Sequence, residues 1–111
     1  MLDRATDAYK LWHGFLKDVP KVSRYSLGTA IDTRFIITVE LILRSGYAAR
    51  SAKPALVERA SSELDVLKFL LQVAWELKVL DNKKYTRISE PLDEVGRMLG
   101  GWRKQLATTK K

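Results

Sequence analysis

The sequence predicts an all-α fold, an up-down-up-down antiparallel four-helix bundle, and three observations carry that prediction. Four segments each place apolar residues at intervals of three and four, the spacing that lines one face of a helix. Short connectors around Pro20, Ser45 to Pro54 and Asp81-Asn82 separate them, and short links between helices make neighbours antiparallel. No stretch alternates apolar and polar residues between glycine-rich turns, as strands would.

The first segment carries Leu2, Ala5, Tyr9, Trp12, Leu16 and Val19 at helical spacing, with Asp3 and Asp7 at the amino end, where carboxylates suit the helix dipole. Pro20 ends it, because the residue before a proline is pushed out of the helical region. Ser23 is the candidate cap of the second helix, whose stripe is Leu27, Ile31, Phe35, Val39, Ile42 and Leu43. The run Phe35-Ile36-Ile37-Thr38-Val39 has a strand-like composition. The stretch from Ile31 to Ser45 has no turn residue and is too long for a typical strand, so it predicts a helix buried on more than one side. Gly46 is its expected end.

Pro54 fits the first turn of a third helix, where its missing N–H is not needed. Leu56, Ala60, Leu64, Leu67, Leu71, Ala74 and Leu77 form the stripe; Val66, Leu70, Val73 and Leu80 widen it, and the helix is expected to end near Leu80. Asp81-Asn82 supplies a cap for the fourth segment, with inward positions Tyr85, Ile88, Leu92, Val95, Leu99, Trp102 and Leu106. Pro91 interrupts that stripe and predicts a kink or short break near Ile88 to Ser89. Residues 1–107 are expected to form one domain and 108–111 a mobile basic tail.

The fourth segment also holds Gly96, Gly100 and Gly101, each costing about 1 kcal/mol against alanine in a helix interior. Close packing of a neighbouring helix, a helix end at Gly100-Gly101, and a surface where another subunit or a nucleic acid nears the backbone all account for them. Arg97, Arg103 and Lys104 flank the site.

Catalysis has little to stand on. The chain has one histidine, His13, no cysteine, and no phosphate-binding, dinucleotide-binding or HExxH motif. A carboxylate-bridged metal bundle needs paired Glu-x-x-His elements, which a single histidine cannot supply. Asp93 and Glu94 flank the apolar stripe, where solvated ion pairing is the ordinary role. No catalytic residue, metal ligand or cofactor is therefore assigned. With no apolar run of about 18 residues, the chain is expected to be soluble and cytoplasmic.

Binding of a polyanion is better supported. The net charge is +7, and the surplus is uneven: residues 21–50 carry five basic groups against two acidic, and residues 81–111 eight against four. Arg44, Arg50 and Lys53 surround the second connector, Lys83, Lys84 and Arg87 open the fourth segment, and Arg97, Arg103 and Lys104 lie near its end. With no base-reading fold in view, contacts would go mainly to phosphate and weaken with salt. Tyr25, Tyr47 and Tyr85 lie near these groups and are candidates for stacking or for covering the core edge.

The segment Leu92-Asp93-Glu94-Val95-Gly96-Arg97-Met98-Leu99-Gly100-Gly101-Trp102 resembles the signature of the accessory variability determinant (Avd) proteins of diversity-generating retroelements. These are a branch of a four-helix-bundle family that includes the proteins encoded in 23S ribosomal RNA intervening sequences. Tyr25-Ser26-Leu27-Gly28, the Leu64 to Leu80 pattern and Tyr85 extend the likeness more loosely. The resemblance implies a basic, ring-shaped homopentamer without catalytic activity, which binds the reverse transcriptase of its element and nucleic acid. Such proteins support template-primed, adenine-mutagenic cDNA synthesis. It also implies structural roles for Gly96, Gly100, Gly101 and Trp102, in the bundle or at a subunit contact. Assignment of the nine cations to RNA or to the polymerase rests on charge, not on the signature. The alternative is an intervening-sequence type scaffold or RNA-binding bundle that works without a reverse transcriptase.

Overall fold

A computed structural model describes residues 1–109. Four long helices build it: α1 (Leu2–Phe15), α2 (Thr29–Tyr47), α3 (Lys53–Glu76) and α4 (Asn82–Thr109). α1 packs against α2 and α4, and α3 against α2 and α4. Contacts fix the directions of the helices. Arg103 near the end of α4 meets Glu58 near the start of α3, whereas Lys84 at the start of α4 meets Asp18 just beyond α1. The rod is about 50 Å long and 20 Å across. One end holds the α2–α3 connector; the other holds the Pro20 turn.

One core runs the length of the rod. Trp12 stacks on Phe35 with ring centroids 6.3 Å apart, and Tyr9 meets the same ring edge-on at 5.7 Å. A buried indole N–H needs an acceptor. Asp32, in the first turn of α2, provides it: one carboxylate oxygen accepts from Trp12 Nε1 at 3.3 Å and from the Tyr9 hydroxyl at 3.0 Å. Farther along, Leu64, Leu67 and Leu71 of α3 and Ile88, Leu92, Val95 and Leu99 of α4 are fully buried.

The α1–α2 turn departs from the sequence reading. α1 gives way to a 3-10 turn, Leu16–Asp18, and Val19 is extended ahead of Pro20. Ser23 is not a cap. Pro20 takes the N-cap position of a short helical turn, Lys21–Ser23, which widens into a π-helical turn, Arg24–Gly28, before α2. Arg24 holds this reversal by donating from Nη2 to the carbonyls of Val19 (3.0 Å) and Lys17 (3.3 Å). Gly28 is needed for closeness: a Cβ there would lie 3.3 Å from the Ser23 carbonyl oxygen.

α2 is not buried on more than one side. Phe35 and Thr38 face the core, but Ile36 is 48% exposed and Leu43 also reaches solvent. Ser45, expected in the connector, is buried inside α2, its hydroxyl satisfied by the Leu41 carbonyl at 2.7 Å. The true connector is Ala48 to Ala52. On α3, Val57 joins the core, while Val66 and Phe69, with Leu77 just past its end, point outward, Phe69 62% exposed and Leu77 64%. Apolar residues thus line two faces of α3, and only one is used within the chain.

α3 ends at Glu76, not near Leu80, in a Schellman turn: the Val79 N–H reaches the Ala74 carbonyl at 2.8 Å and the Lys78 N–H reaches that of Trp75 at 3.0 Å. Lys78 carries the required left-handed backbone, φ 63°. Asp81 then caps α4 as expected, accepting from the Lys84 N–H at 2.8 Å.

No break occurs at Ile88 to Ser89; α4 is continuous through Pro91. The proline leaves the Arg87 carbonyl without its usual donor, but burial of Ile88 and Leu92 on either side holds the helix in register. Thr108 and Thr109 belong to α4, and the rest of the proposed tail, Lys110 and Lys111, lies outside the described residues.

Two measurements probe these features. Lys78→Gly removes the left-handed strain and should stabilise the chain by about 1 kcal/mol in urea denaturation; a neutral or destabilising result contradicts this cap. Burial, and then the Asp32 hydrogen bond and charge, raise the Tyr9 pKa above its ordinary value. The neutral phenol is the form the fold favours, so its contribution is complete below the unfolded pKa near 10 and is lost as pH rises through the folded value. Tyr9→Phe should cost about 1.5 kcal/mol at neutral pH and flatten the alkaline loss of stability seen in denaturation at pH 7 to 11.

Candidate nucleic-acid interface

The nine candidate cations do not form one surface. The topology divides them between the ends of the rod. Arg44, Arg50, Lys53, Arg97, Arg103 and Lys104 belong to the connector end, and Lys83, Lys84 and Arg87 to the proline end. Along α4 alone, Lys84 and Arg103 are roughly 28 Å apart at 1.5 Å per residue. They form two clusters, one at each end of the rod.

At the proline end, Lys84 Nζ pairs with Asp18 at 3.2 Å. It also lies 5.6 Å from the centre of the Phe15 ring, with the Arg87 guanidinium 5.9 Å from it. These contacts hold both side chains across the α1–α4 seam. Lys83 is exposed with no ion pair among the described residues. Lys17 and Lys21, which sequence reading passed over, come to the same end because Pro20 turns the chain back beside the start of α4. Only the fold supplies that signal.

At the connector end, Arg103 is drawn to Glu58 at 3.4 Å, and Arg44 makes a long pair with Glu40 at 3.9 Å. Lys53 Nζ sits 5.7 Å from the centre of the Trp102 ring. Arg50, Arg97 and Lys104 are exposed and have no ion pair among the described residues. Asp93 and Glu94 play the expected part, binding Lys68 at 2.8 Å and Arg4 at 3.2 Å across neighbouring helices.

The signature glycines separate into two kinds. A Cβ on Gly96 would meet Leu64 Cδ2 at 3.6 Å, ordinary packing against α3. Around Gly100 and Gly101 it would meet nothing within 4 Å, and no helix end falls there. Both lie on exposed backbone, with Arg97 one turn before and Lys104 one turn after. Trp102 is half-buried against the core edge. Of the tyrosines singled out for stacking, Tyr25 and Tyr47 are exposed, whereas Tyr85 is already stacked on Trp75, 5.2 Å away at 13°.

Among the described residues, no group of three or more histidine, cysteine or acidic side chains is placed to hold a metal ion, and no helix is long and apolar enough to cross a membrane. His13 is exposed on α1 beside Tyr9. The chemistry of this surface is that of cations, exposed aromatics and an open stretch of helix backbone.

No curated protein matches the chain. Residues 2–106, nearly the whole of it, match the bAvd-like family. The chain belongs to that family, which points to an accessory protein of a diversity-generating retroelement.

Proposed function

We propose that this protein is the accessory subunit that joins the reverse transcriptase of its retroelement to template RNA, and so supports mutagenic cDNA synthesis during retrohoming. The family match over residues 2–106 is the observation that carries this reading. In it, the chain works in the cytoplasm as a homopentamer and makes no bond itself. The two basic ends grip phosphate, and the apolar outer face of α3, with Val66, Phe69 and Leu77, packs against a second copy. Of the nine candidate cations, Arg50, Lys53, Lys83, Arg87, Arg97 and Lys104 have no ion pair among the described residues and have most to gain from a polyanion, because no carboxylate has to be displaced first.

The open backbone at Gly100-Gly101 fits the same reading. A surface with no Cβ lets a partner helix or a sugar-phosphate strand reach the helix axis more closely than any side chain would allow. Arg97 and Lys104 bracket that approach with positive charge.

Solution mass and RNA affinity, measured with and without the neighbouring reverse transcriptase, test the proposal together. The expected results are a pentamer, a stable complex with the polymerase, and RNA affinity that falls steeply with salt. Neutralising Lys83, Lys84 and Arg87 together should reduce the salt slope by about two to three; a monodisperse monomer indifferent to RNA at low salt sinks the reading. Gly100→Ala with Gly101→Ala should stabilise the isolated subunit by about 1 to 2 kcal/mol in thermal melts, through helix propensity. The same pair should weaken assembly or RNA binding. Equal or better function in the variant would show that nothing approaches that backbone.

A further inference from the structure

At the connector end, the first turn of α3 and the last turns of α4 enclose a groove of about 660 Å³. Its size suits a single nucleotide, since small-ligand pockets run from about 300 to 1,000 Å³. Arg50, Lys53 and Pro54 form one wall, and Trp102, Gln105 and Leu106 the other. The walls divide the chemistry. Trp102, Pro54 and Leu106 give an apolar surface, Arg50 and Lys53 give positive charge, and no carboxylate is among the described residues lining the groove.

Two further features suit the groove to an anion attached to a ring. Neither Arg50 nor Lys53 has an ion pair among the described residues, and Lys53 Nζ lies 5.7 Å from the Trp102 ring centre. The amino end of α3 forms part of the same wall, with no side-chain cap and no acidic residue in its first turn. Trp102 is half-buried; its inner part packs at the core edge and it also lines the groove.

We propose that this groove holds one unpaired nucleotide of a single-stranded nucleic acid, its base stacked on Trp102 and its phosphates drawn to Arg50 and Lys53. Every base has a π face, so such a site selects single strands without selecting sequence. A duplex keeps its bases inside its own stack and has none to offer. The proposal rests on the nucleic-acid reading above but does not follow from it, because a surface that only neutralises phosphate binds duplex and single strand alike.

The test compares fluorescence anisotropy of a labelled 20-nucleotide oligouridylate and a 20-base-pair RNA duplex on the full chain. Trp102→Leu keeps an apolar side chain and removes the π face. It should weaken single-strand binding at least about tenfold, leave duplex binding within about twofold, and leave the salt slope unchanged. Arg50→Gln with Lys53→Gln should weaken both ligands and lower the single-strand salt slope by about 1.4. Should Trp102→Leu fail to fold, photocrosslinking of a 5-iodouridine oligonucleotide to the unmodified protein gives the answer, with the adduct expected on peptide 98–103. If the unmodified protein binds neither RNA, the whole nucleic-acid reading falls. If it binds but Trp102→Leu costs single strand and duplex equally or not at all, or the adduct maps only elsewhere, the stacking site alone is overturned.

Discussion

The uninterrupted burial of Ile88, Leu92, Val95 and Leu99 is the constraint on which the rest of this molecule depends. These four side chains keep α4 one helix across a proline that removes a backbone hydrogen bond. Each buried aliphatic side chain is worth about 1.5 to 3 kcal/mol relative to exposure, so four together outweigh a proline penalty of about 3 kcal/mol. Were α4 to break at Ser89, the Lys83, Lys84 and Arg87 group would lose its alignment with α1, and Trp102 its angle to the connector. One continuous rod sets the positions of both basic ends.

Along that rod the acids and bases are not distributed alike. Arg34 with Glu63, Lys68 with Asp93, and Arg4 with Glu94 stitch neighbouring helices along their flanks. Exposed pairs of this kind contribute little stability, about 0 to 1 kcal/mol each. Their effect is on where charge is left over. Carboxylates engaged along the flanks cannot neutralise the ends, where Arg50, Lys83 and Lys104 stand without partners among the described residues. The two lysines held near Phe15 and Trp102, Lys84 and Lys53, are further restrained by the ring faces.

The helical period told most of the fold. It identified four helices, the inward face of α4, the proline start of α3 and the Asp81 cap, because each follows from local spacing or local hydrogen bonding. Its failures have one physical origin. Spacing gives the direction of a side chain around its own helix but not what stands opposite, so it places Val66 and Leu77 in the core although no helix covers them, and leaves out Val57. The same blindness hid Asp32, whose role comes from two donors on another helix, and the π-helical turn, whose Thr29 hydroxyl bonds back to the Arg24 carbonyl at 3.1 Å. At Pro91 the local rule was sound and the tertiary packing overrode it.

The candidate surface is legible in the sequence as separate basic groups, not as an arrangement. Charge counts along the chain found the second connector and both ends of the fourth helix, but a count by segment cannot say which cations share a space. The turn at Pro20 decides it, sending Lys17 and Lys21 to join Lys83 and separating all of them from Arg103. Gly100 and Gly101 make the complementary point. They stand in the middle of a continuous helix, lower its intrinsic stability, and touch nothing in their own chain. That cost without a contact in return is what the proposed function accounts for with a partner at this backbone. In that proposal Arg97 and Lys104, one turn to either side, set the sign of the partner.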